Sequence, residues 1–161
     1  MKNKVLATVL LGLPSVLPIQ AGITRQEINE GWKFRQARQG NWHEAKVPGE
    51  VHTDLMRENI IEDPFFGQNE RSVQWVDKED WIYETVFRPS ADIYQENHIS
   101  LVFKGLDTYA DVYLNDSLIL KADNMFRQWT VPVKALANRS ISFIILSYLV
   151  HHFVEHSFHL V

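Results

Sequence analysis

The sequence predicts an all-β antiparallel sandwich with one or two short helices. Side chains alternate over Trp81–Phe87 and Tyr109–Leu114, the period of two that marks a half-buried strand. Turn-forming residues recur at short intervals between apolar runs, as in a sandwich built of short strands. Helical spacing is confined to one short stretch, 50–58. No internal repeat or low-complexity linker divides the 161 residues, so they read as one domain. Apolar residues at 45% and charged residues at 22% are the balance of a globular chain. Aromatics at 12% can fill a thin sandwich and also suit a carbohydrate-binding surface.

In chain order, Lys2 and Lys4 precede an apolar run, Val5 to Leu13, which Pro14 and Pro18 interrupt before Ala21. This is the three-part form of a secretory leader over residues 1–21, and its apolar core is too short to span a bilayer. A strand begins between Trp32 and Phe34 and turns at Gln39-Gly40-Asn41. Val47-Pro48-Gly49 leads into a helix over 50–58, with Val51 and Leu55 on its apolar side and Asn59 ending it. A long polar and aromatic connection then reaches the strand at Trp81–Phe87, which Pro89 stops. Tyr109, Asp111 and Tyr113 should face outward, and Ala110, Val112 and Leu114 inward. Asn115-Asp116-Ser117 supplies the turn to a return strand over Leu118–Leu120. A strand over 128–133 carries Pro132, which places it at an edge or a bulge. One helical turn is expected over 134–138, and Ile141 to Val150 reads as a core strand. The sandwich is therefore expected over 22–147, with an aberrant tail over 148–161.

Several chemistries are disfavoured. A net charge of −4 gives no electrostatic footing for nucleic acid, and without cysteine there is no disulfide, thiolate metal site or cysteine nucleophile. His152, Glu155 and His156 fit an H-x-x-E-H pattern, but nothing upstream supplies the rest of a metallopeptidase. The adjacent carboxylates Glu62-Asp63 and Glu79-Asp80 point to opposite faces in extended chain, so neither pair can flank a glycosidic bond by itself. Asn115 and Asn138 each open a glycosylation sequon. No catalytic residue, metal site or cofactor site is assigned.

The segments VPGEVHTDL, IEDPFFGQNERSVQWVDKEDWIYE, FKGLDTYADVYLN and DNMFRQW, between Gly31 and Leu136, together resemble the N-terminal sugar-binding domain of family 2 glycoside hydrolases, on the β-mannosidase branch. The resemblance implies a jelly-roll sandwich of the galactose-binding type. It implies a non-catalytic fragment of an enzyme that removes terminal β-D-mannose from the non-reducing ends of oligosaccharides. In that family immunoglobulin-like sandwiches and a TIM barrel follow, and the barrel carries both catalytic glutamates. The partners implied are mannosides and those other domains, with neither nucleic acid nor membrane. The leader over 1–21 points to a secreted or periplasmic location, or a lysosomal one in a eukaryote. After Leu136 the sequence departs from the family pattern, as a frameshifted or shortened copy would. A free-standing carbohydrate-binding or interaction module on the same sandwich is the alternative reading.

The resemblance also makes the loop from Asp63 to Trp75 a candidate sugar contact. Pro64 and Gly67 would fix its turns, and Phe65 and Phe66 would anchor it on the sandwich. Asn69, and secondarily Glu70, would then be free to meet sugar hydroxyls.

Overall fold

The structure is a computed structural model that describes residues 23–38, 40–148 and 158–160. The leader at 1–21, Gln39 and the His152–Glu155–His156 pattern lie outside these described residues.

Two antiparallel sheets make a sandwich. The larger orders β3 (His43–Glu44), β2 (Lys33–Gln36), β4 (Trp81–Phe87), β9 (Ile141–Tyr148), β6 (Tyr109–Leu114) and β7 (Ser117–Ala122). The smaller orders β1 (Gln26–Glu27), β10 (Phe158–Leu160), β5 (Ser100–Phe103) and β8 (Trp129–Pro132). Pairing thus continues at Phe158–Leu160, past the 22–147 range read from the sequence. β8 is an edge strand, the position its Pro132 required.

Alternation decides which faces meet. Trp81, Tyr83 and Thr85 of β4, Ile141, Phe143 and Ile145 of β9, and Leu101 and Phe103 of β5 are buried. Phe143 ties the layers together, with its ring centroid 5.4 Å from Trp32 and 5.9 Å from Phe103. In β6, Ala110, Val112 and Leu114 face inward as the sequence pattern required. Asp111 differs from expectation: it is buried too, and Lys121 Nζ on the neighbouring strand lies 3.0 Å from its Oδ2. The hairpin turn is Asn115-Asp116, both at positive φ, and Ser117 already belongs to β7. The Asn115 side chain also fastens a neighbouring loop and strand. Its amide donates to the Leu136 carbonyl at 2.8 Å, and its oxygen accepts from the Ser142 amide at 3.0 Å.

Among the described residues three α-helical segments accompany the sheets: α1 (Val51–Arg57), α2 (Glu70–Val73) and α3 (Ala91–Gln95). Gly49 sets the entry to α1, where a Cβ would lie 2.2 Å from the Lys46 carbonyl oxygen. Asn59 at φ 57 follows α1, in agreement with the sequence reading. α3 starts at Ser90, whose hydroxyl oxygen accepts from the Ile93 amide.

Candidate functional site

Strand register determines which loops share an end of the sandwich. Gln36, Trp81, Ser147, Ala110 and Ala122 stand opposite one another across the larger sheet. Phe103 and Trp129 are paired in the smaller sheet. The connections 37–42, 62–80, 104–108 and 123–128 therefore all open at this one end.

Connection 62–80 is a series of short turns. The Asp63 carboxylate accepts from the Phe65 amide at 2.9 Å, and the Asp63 carbonyl accepts from the Phe66 amide at 3.1 Å. Gly67 then takes φ +63, which a β-carbon disfavours. α2 and a 3-10 turn at Val76–Lys78 follow, and Val73 and Val76 are buried. Trp81 donates its indole N–H to the Val76 carbonyl at 3.1 Å, and Trp75 packs beside Trp81 at 6.1 Å.

Two expectations need correction. Phe65 and Phe66 do not anchor the loop: they are 91% and 76% exposed. The valines hold it instead, because α2 and the 3-10 turn direct Val73 and Val76 inward while the Asp63 turn carries both rings outward. Asn69 does not project freely either. Its Nδ2 donates to the Asp63 carbonyl at 3.1 Å, and its own carbonyl accepts from the Ser72 amide and hydroxyl at 2.9 and 2.7 Å. Glu70, one residue on, is exposed.

Loop 123–128 presents the same kind of surface. Asn124 Oδ1 accepts from the Phe126 amide at 2.9 Å, and Phe126 is left 90% exposed. The next side chain, Arg127, lies with its guanidinium 4.1 Å from the Trp129 ring centroid, a cation–π contact that fixes its direction.

Beneath the long loop lies a buried carboxylate that the sequence reading missed. Asp54 accepts from the Lys46 amide at 3.0 Å, from Arg57 Nη2 at 2.7 Å and from the Tyr83 hydroxyl at 3.2 Å. Burial pushes its pKa up, while the Lys46 amide and Arg57 pull it back. The Tyr83 phenol is raised well above its ordinary value, first by burial and then by Asp54. The i, i+3 spacing of Asp54 and Arg57 was a usable sequence signal for the pair. At its two ends α1 meets the neighbouring segments through His52 Nε2, 3.7 Å from Asp77 Oδ1, and His43 Nδ1, 3.3 Å from Glu58 Oε2. These groups hold α1 and the loop in place. Among the described residues no cluster of three or more His, Asp or Glu could hold a metal ion.

The fold and its gathered loops define a class of protein, the two-sheet galactose-binding-like sandwich. The family described as the glycosyl hydrolase 2 galactose-binding domain-like domain matches residues 32–147, and the chain belongs to it. β-Mannosidase B of Aspergillus terreus is 38% identical over 121 residues, covering 72% of this chain and 14% of that protein. The β-mannosidase of Capra hircus is 32% identical over 128 residues, covering 80% of this chain and 15% of that protein. Among solved structures, the β-D-mannosidase of Dictyoglomus thermophilum superposes with a TM-score of 0.75 at 38% identity, over 78% of this chain and 16% of that one. The exo-chitosanase CsxA of Amycolatopsis orientalis, at 14% identity and a TM-score of 0.71, shares the fold. The chain thus spans about a seventh of the length of these curated β-mannosidases.

Proposed function

We propose that this chain is the non-catalytic galactose-binding-like domain of a β-mannosidase. The reading rests above all on its 38% identity and shared fold with the D. thermophilum β-D-mannosidase. In this proposal the domain occupies 22–147 together with the strand Phe158–Leu160 of its smaller sheet, the parent enzyme removes terminal non-reducing β-D-mannose, and residues 1–21 direct export. The chemistry resides in the barrel domain of such an enzyme, because retaining hydrolysis needs two carboxylates flanking the scissile bond. The buried carboxylates among the described residues, Asp54, Asp107 and Asp111, each accept hydrogen bonds from within the sandwich.

In the same reading Asn69 and Glu70 serve the sugar site from outside it. Asn69 keeps its carboxamide oxygen as an acceptor while its nitrogen braces the loop on Asp63, and Glu70 adds an exposed carboxylate. Assay of the purified chain against an aryl β-mannoside at high protein concentration is expected to give no turnover. Turnover that follows the protein through purification overturns the proposal. Replacing the matching asparagine in an intact relative should lower kcat/KM for mannosides at unchanged melting temperature. Unaltered kinetics would assign Asn69 to loop structure alone.

A further inference from the structure

Two glycosylation sequons occur in the chain, Asn115-Asp116-Ser117 and Asn138-Arg139-Ser140, and the fold treats them unequally. Both lie at the end of the sandwich where Leu114 stands opposite Ser117 and Phe87 opposite Ile141. At the first, the carboxamide is committed to structure. Asn115 Nδ2 donates to the Leu136 carbonyl at 2.8 Å, and Oδ1 accepts from the Ser142 amide at 3.0 Å. The residue itself is half-buried and holds φ 47 in the hairpin turn. At the second, Asn138, Arg139 and Ser140 are all exposed in the connection from β8 to β9. Among the described residues no hydrogen bond engages the Asn138 carboxamide or the Ser140 hydroxyl.

We propose that Asn138 is the residue that carries an N-linked glycan when this chain enters a eukaryotic secretory route, and that Asn115 is a structural residue whose sequon stays unmodified. The inference rests on the export of the chain by residues 1–21. The donor is a lipid-pyrophosphate-linked oligosaccharide. Asn138 Nδ2 forms a bond to C1 of the first sugar while the C1–O bond to the pyrophosphate breaks. The pyrophosphate leaves with that electron pair, and one Nδ2 proton passes to the transferase. Such a linkage needs open space around Nδ2, because the group it adds is bulky and hydrophilic. Asn138 has that space in the folded protein. At Asn115 a sugar would crowd the contact with the Leu136 carbonyl, and with it the join between the hairpin, the 133–140 connection and β9. Transfer to the still unfolded chain meets the same obstacle later, since a glycan on Asn115 then opposes closure of that join. Position agrees with the assignment. β9 is eight residues long, so the end carrying Asn138 lies roughly 25 Å from the end where connections 62–80 and 123–128 open. A glycan on Asn138 leaves those loops clear.

The test expresses the full chain in a eukaryotic secretory host, once with residues 1–21 as they stand and once with the host's own leader in their place. Protection from added protease in isolated microsomes reports entry. A mass shift removed by an endoglycosidase, mapped to its peptide by mass spectrometry, reports the glycan. Every chain that enters should carry one glycan, on Asn138. Asn138→Gln and Ser140→Ala should each remove it, and Ser117→Ala should leave it in place. In chain made in a bacterial cytoplasm, Asn115→Ala should lower the melting temperature by about 5–10 °C, because two hydrogen bonds are lost. There Asn138→Gln and Ser117→Ala should leave the melting temperature unchanged. A protease-protected chain without a glycan overturns the proposal, as does a glycan on Asn115 or one that survives Ser140→Ala. An Asn115→Ala variant as stable as the wild type overturns the structural role of Asn115. Entry of the second chain but not the first overturns the export function of residues 1–21, and the second chain then decides the glycan site.

Discussion

Asp54 and Phe65 stand eleven positions apart and reverse the usual distribution of polarity. The carboxylate is fully buried in α1, while the phenyl ring is 91% exposed in the following loop. Each inversion has a local cause. Asp54 is tolerated inside because the Lys46 amide, Arg57 and Tyr83 answer its lone pairs, so the helix, the chain before it and β4 meet at one point. Phe65 stands outside because the Asp63 side chain and Gly67 shape a turn that faces away from the valines holding the loop. A buried polar group needs the surrounding structure to be complete. An exposed apolar group leaves a surface that another body can complete. One region is thus committed to the fold, and the other is available for association.

The size of substitution effects should follow that division. Phe143→Ala provides the interior reference. It removes a ring that contacts Trp32, Phe87 and Phe103, and should cost about 3–5 kcal/mol in urea unfolding. Asp54→Ala should cost about 3 kcal/mol, since it leaves Arg57, the Lys46 amide and the Tyr83 hydroxyl without their shared acceptor. An Asp54→Ala variant within error of the wild type would erase the contrast between the two regions.

The pH dependence sharpens the same point. Because burial raises the Asp54 pKa above 3.8, the native state binds this proton more tightly than the unfolded chain does. The associated stability is fully present below the unfolded value and is lost as pH rises through the native one. The melting-temperature advantage of the wild type over Asp54→Asn should therefore widen as pH falls from neutrality toward 3.8. A narrowing gap would mean that Arg57 and the Lys46 amide outweigh burial. In the loop, Asn69→Ala removes the bond to the Asp63 carbonyl and should cost about 1 kcal/mol, a loss tied to local order around 63–72 and readable by hydrogen exchange.

What could be read in the sequence follows the physical range of each signal. The hairpin Tyr109–Ala122, the strand Trp81–Phe87 and the helix near 51–57 announced themselves, since each has several periodic side chains facing one core. β1, β3 and β10 are two or three residues long, too short for alternation to register. α3 carries a sign in Ser90, its N-cap, but the adjacent Pro89 reads equally well as the end of β4. The site divided in the same way. The Asp63–Trp75 loop stood out by length and composition, but the direction of its rings depends on a turn whose orientation is set by tertiary contacts at Val73 and Val76. Asp54 resembles an ordinary helix-surface acid in sequence, and its partners outside the helix, the Lys46 amide and Tyr83, 29 positions later, make it an interior one.

The most direct test is a paired one: urea unfolding of Asp54→Ala and of Phe65→Ala, measured side by side in the same chain. The structure predicts a loss of about 3 kcal/mol for the buried carboxylate and a change within about 0.5 kcal/mol for the exposed ring. Comparable losses, or a larger one at Phe65, would contradict the division of this domain into a committed interior and an available loop end.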